Sequence, residues 1–87
     1  MIITVKGVGR YAAQLGPGVS VEFEGDSCSL RDVFERLEKD FGVDLSKTRI
    51  CGDCTAIVLV DGMRVFDPAH IVAGGARVSI LPVVAGG

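Results

Sequence analysis

The chain of 87 residues carries nine basic and eleven acidic side chains, giving a formal net charge of −2. Its length corresponds to one domain and excludes larger architectures such as the eight-fold barrel of alternating strands and helices. An apolar fraction of 48% excludes intrinsic disorder. The slight acidic excess argues against a nucleic-acid partner, since nucleic-acid-binding domains carry a basic excess.

The sequence shows no sign of export or membrane insertion. It begins without a basic segment followed by an apolar stretch, and no apolar run approaches the ~18 residues of a membrane helix. Three cysteines cannot all pair within one chain. We therefore expect a reduced, cytoplasmic protein with no membrane partner.

Two short strands are predicted near the N-terminus. Residues 2–5 form an apolar run, and Val19, Val21 and Phe23 alternate with polar residues. A period of two is typical of a strand with one buried face. A Gly-Pro-Gly breaker at residues 16–18 ends the long first loop between the two strands.

A single α-helix is predicted next. Ser29 and Asp32 have the spacing of a capping box, with Asp in place of the usual Glu or Gln. Gly42 stands where a helix-terminating glycine is common. Between them, apolar residues recur at helical spacing along one face, at Leu30, Val33, Phe34, Leu37 and Phe41.

Three more strands are predicted after an irregular segment at residues 43–50. Residues 56–60 are an apolar run, and the Asp61-Gly62 pair predicts a tight hairpin to a returning strand at residues 63–66. Residues 69–73 are expected to be a short connection. The last strand ends at residue 81, because Pro82 has no N–H to donate.

The element order β-β-α-β-β-β predicts a two-layer α+β domain, a mixed sheet packed on one helix. This order permits the ubiquitin-like β-grasp architecture, in which the first and last strands lie side by side and parallel. We expect a domain at residues 1–81 and a flexible tail at residues 82–87.

The last strand residue and the tail together read Leu-Pro-Val-Val-Ala-Gly-Gly at residues 81–87. Glycines without a Cβ can thread a narrow channel, and Pro82 stiffens the start of the tail. A terminal carboxylate becomes reactive once it is converted to a mixed anhydride, for instance with AMP. The simple alternative is a frayed chain end.

This tail resembles that of the ubiquitin-like sulfur carriers of the MoaD and ThiS family. It is most similar to the small subunit of molybdopterin synthase, the MoaD-like branch. The predicted helix at residues 29–37 and the strand-turn-strand at residues 58–66 are also similar to elements of that family. The resemblance implies that the chain is a sulfur carrier and not itself an enzyme.

The family resemblance also implies the partners and the chemistry of the tail. An E1-like adenylating enzyme would use ATP to activate the Gly87 carboxylate, and a sulfur donor protein would convert it to a thiocarboxylate. The large subunit of molybdopterin synthase would then receive the sulfur to build molybdopterin for the molybdenum cofactor. No permanently bound cofactor is implied. The residues expected to thread into a partner's active site are Pro82, Val83, Val84, Ala85 and Gly86.

Leu81 is a candidate partner-binding residue. Its parity is opposite to that of Val78 and Ile80, which are expected to face the core, so Leu81 should lie on the open sheet face beside the tail. The apolar run at residues 56–60 either contributes to that face or belongs to a buried central strand.

Other functions stay open. Within the same family, sulfur carriers of thiamin synthesis and archaeal ubiquitin-like protein modifiers share this tail. A ubiquitin-like interaction module, in contrast, would need no free carboxylate at Gly87. Cys51 and Cys54 form a C-x-x-C motif that is compatible with a thiol-redox module, a metal site or a plain loop turn. Cys28 and His70 could complete a zinc site, but they lack paired spacing.

The remaining candidate side chains carry structural interpretations. Asp61 and Asp67 are expected to form turns, and His70 is expected in a surface turn. Tyr11 is interpreted either as a core anchor or as a contact at the rim of a partner interface.

Overall fold

The computed structural model describes residues 1–83 of the chain. Within this range a 3₁₀ turn at Gly9–Tyr11 leads directly into the first helix. The helices and strands follow in chain order as β1 (Ile2–Gly7), α1 (Ala12–Leu15), β2 (Val19–Glu22), β3 (Ser27–Ser29), α2 (Leu30–Phe41), β4 (Ala56–Val60), β5 (Met63–Val65), β6 (Ile71–Ala73) and β7 (Arg77–Pro82).

The main sheet has five strands in the order β2-β1-β7-β4-β5. β1 and β7 are parallel, with Val5 opposite Val78, whereas β2 and β4 run antiparallel to their neighbours. The predicted α+β sheet with adjacent, parallel first and last strands is therefore confirmed. This topology places the C-terminal end of β7 in the middle of the sheet.

The capping signals define α2 as the sequence predicts. The Ser29 hydroxyl accepts the backbone N–H of Asp32 at 3.1 Å, and the Asp32 carboxylate accepts the backbone N–H of Ser29 at 3.2 Å. Gly42 ends the helix in the left-handed conformation, with φ +69°. The helix buries its apolar face at Leu30, Val33, Phe34 and Leu37.

The hairpin between β4 and β5 turns at the predicted Asp-Gly pair. Asp61 and Gly62 have φ values of +51° and +83°, the positive values at both positions that a type I′ turn requires. The Asp61 carboxylate also accepts the backbone N–H of Arg77 at 3.0 Å. The aspartate therefore fixes the hairpin to β7 as well as forming the turn.

The expectation of a single helix is wrong. The first loop contains the 3₁₀ turn and the one-turn helix α1, neither of which has a capping side-chain hydrogen bond. Tyr11 and Leu15 are buried, with 4% and 1% of their surface exposed. Burial of these two side chains stabilises the segment, so the core interpretation of Tyr11 is correct.

The predicted element order also lacks two short strands. β3 and β6 form a separate antiparallel pair with Cys28 opposite Val72, although residues 69–73 were expected to be a connection. Val72 is 1% exposed, so this small sheet covers part of the core. The last strand also extends to Pro82, one residue beyond its predicted end.

Candidate functional site

The candidate site lies where the chain leaves the end of β7. Leu81 and Pro82 are still paired, opposite Ile57 and Ala56 of β4. Beyond the strand, the backbone N–H of Val83 donates to the carbonyl oxygen of Thr55 at 3.2 Å. This hydrogen bond sets the direction of the chain up to the last described residue.

Of the predicted tail residues, only Pro82 and Val83 lie within the described range. Val84, Ala85, Gly86 and Gly87, including the expected reactive carboxylate, lie outside the described residues. Their roles stay predictions, as does the boundary between a domain at 1–81 and a tail at 82–87.

Gly9 lies against the first residue of the predicted tail. A Cβ on Gly9 would lie 2.8 Å from Cγ of Pro82, and the φ of Gly9 is +61°. Both the contact and the backbone conformation therefore require a glycine at position 9. This contact joins residues far apart in the sequence, where the Gly7-x-Gly9 spacing is the one local sign of it.

An apolar surface beside the chain exit forms the candidate docking face. Ile57, Leu59 and Leu81 share the sheet face opposite the core, and each is half-buried. Their neighbours on the other parity, such as Val58 and Ile80, are fully buried. The prediction that Leu81 lies on the open face is confirmed, and the run at 56–60 contributes to both faces.

The edge of the docking face carries aromatic and cationic groups. Phe66 is 54% exposed, and the guanidinium carbon of Arg64 lies 4.7 Å from the centre of its ring. Lys6 pairs with Ser79, and Arg77 pairs with Thr4 on the same face. An apolar centre with a positive edge suits a partner surface whose rim is acidic.

A cleft of about 440 Å³ lies beside the exit, on the side of Thr55. Arg10 and Lys47 contribute positive charge to its walls, and Asp44 contributes a carboxylate. Arg10 donates to the Tyr11 hydroxyl at 3.1 Å. Hydrogen bonds from Ser46 hold the pKa of Asp44 below its usual value, so this carboxylate stays charged.

The alternative of a zinc site finds no support among the described residues. Cys28 lies in β3, and its thiol has a raised pKa because of burial and, secondarily, because of the nearby Asp32 carboxylate. Among residues 1–83, no group of three or more His, Cys, Asp or Glu side chains could hold a metal ion. The possible zinc set of Cys28, Cys51, Cys54 and His70 therefore receives no support from this part of the chain.

The turn interpretations of Asp67 and His70 are confirmed. The Asp67 carboxylate accepts the backbone N–H of Ala69 at 2.9 Å, and its carbonyl accepts that of His70. The His70 carbonyl in turn accepts the backbone N–H of Leu30 at 2.8 Å. His70 thus contributes its backbone to the start of α2 while its side chain remains exposed.

Comparison with known proteins identifies similar structures but no sequence relatives. No protein-family model matches the chain, and no curated protein matches its sequence. SAMP1 from Haloferax volcanii superposes with a TM-score of 0.77 at 22% identity, over 100% of both chains. A Pyrococcus furiosus protein assigned as molybdopterin converting factor, subunit 1, gives 0.76 at 19% identity, covering 95% of this chain and 98% of its own.

The chain has the β-grasp fold. A complex of subunits 1 and 2 of the molybdopterin-converting factor from Helicobacter pylori also matches, with a TM-score of 0.66 at 15% identity over 100% of both chains. The β-grasp topology accounts for the parallel pairing of β1 and β7 and for the exit of the chain beside β4.

No helix within residues 1–83 is long and apolar enough to span a membrane.

Proposed function

We propose that this β-grasp protein is a sulfur carrier whose C-terminal Gly87 is adenylated and converted to a thiocarboxylate. The observation that carries the proposal is the exit of β7 beside an apolar face. The strand ends at Pro82, and four residues ending in Gly-Gly follow Val83 in the sequence. Extended residues add about 3.3 Å each, so this segment would reach roughly 13 Å beyond Val83.

The proposed roles of the carrier and of its partners follow from the chemistry of glycine, which has no side chain. A glycyl carbonyl has no side chain to shield it from attack once an E1-like enzyme has activated it with ATP. The sulfur then enters as AMP leaves, supplied by a sulfur donor protein. The carrier contributes the reactive group, and its partners contribute the catalytic residues and the bound ATP.

Molybdopterin synthesis is the pathway that we propose for the sulfur. In this proposal the chain is the small subunit of molybdopterin synthase, and the large subunit binds the docking face while the residues that follow Val83, ending at Gly87, enter its active site. The pathway is suggested by the structural matches to a protein described as subunit 1 of a molybdopterin converting factor and to a complex of subunits 1 and 2 of that factor. The Helicobacter pylori match comes from a complex with subunit 2, a precedent for such a large partner.

Protein modification is the second candidate function. Haloferax volcanii and Methanosarcina acetivorans proteins described as small archaeal modifier protein 1 match with TM-scores of 0.75 and 0.71. A modifier would use the same activated Gly87 but transfer the glycyl group to an amine of a target protein. The two functions therefore diverge after adenylation.

Reconstitution tests the proposal and separates these two outcomes. The full chain is incubated with an adenylating enzyme, ATP, a sulfur donor, the large synthase subunit and the cyclic pterin precursor that receives the sulfur. We expect molybdopterin from the full chain and none after deletion of Gly87, with the same folded NMR spectrum for both. Gly42→Ala is a matched glycine control outside the tail and should retain activity. Equal yields from the full and truncated chains would contradict the proposal, whereas covalent protein adducts without molybdopterin would favour the modifier.

A further inference from the structure

The C-x-x-C motif is held in a closed loop next to the chain exit. The backbone N–H groups of Thr55 and Ala56 both donate to the Arg49 carbonyl, at 2.8 and 3.2 Å. The Arg49 N–H donates back to the Thr55 hydroxyl at 3.0 Å. These three hydrogen bonds close the loop 49–55, which contains both cysteines of the motif.

A tight reversal separates the two cysteines. Gly52 has φ +63°, and the backbone N–H of Cys54 donates to the Gly52 carbonyl at 2.8 Å. A Cβ on Gly52 would meet nothing within 4 Å, so this turn is open to solvent. Cys51 is exposed and Cys54 is half-buried. One thiol is therefore accessible to a dissolved reagent, and the other, three residues later in the chain, is partly shielded from solvent.

Arg64 connects Cys54 to the docking face. Its guanidinium donates to Sγ of Cys54 at 3.4 Å and lies over the ring of Phe66. Cys54 is also adjacent to Thr55, whose carbonyl holds the N–H of Val83. A chemical change at Cys54 can therefore affect Phe66 at the edge of the docking face through Arg64. It can affect the chain exit at Val83 through the neighbouring residue Thr55.

We propose that Cys51 and Cys54 form a dithiol–disulfide site that reacts with low-molecular-weight disulfides. The thiolate of Cys51 attacks the disulfide, forms a mixed disulfide and releases one thiolate of the reagent. Sγ of Cys54 then attacks Sγ of Cys51 and releases the second. In sum, two cysteine thiols and one disulfide give one intramolecular disulfide and two free thiols.

Formation of this disulfide moves Sγ of Cys54 away from Arg64. The new bond directs this sulfur towards Cys51, because a disulfide fixes its two sulfurs at bonding distance. Arg64 then loses its contact with Cys54, so the stacked Arg64–Phe66 pair is held only by its own packing. The oxidised and reduced proteins thus present different edges to a docking partner.

Cys28 provides a matched control for this site. It lies in β3 on the other sheet, and its raised pKa favours the protonated, unreactive thiol at neutral pH. Replacing it with serine should leave the chemistry of Cys51 and Cys54 unchanged.

Intact-mass spectrometry in glutathione redox buffers tests the site directly. We expect the wild-type chain and Cys28→Ser to lose the mass of two hydrogen atoms without retaining glutathione. Cys51→Ser and Cys54→Ser should instead accumulate a glutathione adduct on the remaining cysteine of the motif. Stable glutathione adducts on the wild-type chain, or no reaction at Cys51, would overturn the proposal.

NMR of the same samples tests the coupling to the exit and the docking face. Oxidation should shift the amide signals of Phe66 and Val83, and Arg64→Gln should remove the shift at Phe66 while retaining that at Val83. Unchanged signals on oxidation, or a Phe66 shift that persists in Arg64→Gln, would overturn the coupling. Neither experiment involves Gly87, so its result is independent of the proposed carrier function.

Discussion

Gly9 and Pro82 are so close that a Cβ on residue 9 would lie 2.8 Å from Cγ of the proline ring. The contact joins the turn after β1 to the last residue of β7, at the start of the predicted tail. The position of the chain exit therefore depends on the first loop as well as on the ladder between β7 and β4.

Gly9→Ala should therefore destabilise the protein and disturb the exit. The positive φ alone costs a non-glycine residue about 1–2 kcal/mol, and the clash with Pro82 adds to it. Gly42→Ala is the control, because Gly42 also has a positive φ but a Cβ there would meet nothing within 4 Å. Urea denaturation should show a larger loss for Gly9→Ala. Equal losses for the two variants would show that the contact with Pro82 has no energetic effect.

Leu81→Asp should weaken binding of a large synthase subunit by at least about tenfold, the effect of removing a central apolar contact from an interface. Ile2→Asp is a suitable control, since Ile2 is 53% exposed and lies at the start of β1, whereas Leu81 lies near the end of the parallel strand β7. Titration calorimetry measures both affinities, and Leu81→Thr checks the result with an uncharged side chain. Matching affinities for Leu81→Asp and the wild-type chain would remove Leu81 from the interface.

Ser46→Ala should raise the pKa of Asp44 towards its usual value of 3.8, because the Ser46 hydroxyl donates to the carboxylate at 2.8 Å. A depressed carboxyl pKa contributes stability above the unfolded value and loses it as the pH falls through the folded value. The variant should therefore be less stable than the wild-type chain at neutral pH, and the difference should shrink below pH 3.8.

An NMR titration of the Asp44 carboxyl, combined with urea denaturation at neutral pH and below pH 3.8, checks this pH dependence. Ser20→Ala replaces an exposed serine in β2 and should change neither quantity. A constant stability difference across the acidic range would contradict the assigned hydrogen bond.

Local signals in the sequence predicted the elements whose stabilising contacts are also local. The Ser29–Asp32 capping box, Gly42 and the Asp61-Gly62 turn each act within a few residues, and each has the predicted geometry. Alternation along β7 likewise placed Leu81 on the open face, because the side-chain period of a strand is two.

The elements that the sequence did not predict depend on contacts between distant residues. β3 and β6 have three residues each and exist through the pairing of Cys28 with Val72. The one-turn helix α1 lacks a capping side chain and is stabilised by the burial of Leu15. Arg64 and Cys54 likewise meet only because the β4–β5 hairpin brings them together. Such pairings leave no periodic pattern in the sequence.

The most direct test of the sulfur-carrier proposal is the intact mass of the protein purified without tags from its native host. The account predicts a fraction whose mass exceeds that of the unmodified chain by the difference between a sulfur and an oxygen atom, with the change located at Gly87 by fragmentation. Alkylation should occur at that terminus and should be absent when Gly87 is deleted. A native-host protein whose whole population has the mass of the unmodified chain would contradict the sulfur-carrier proposal.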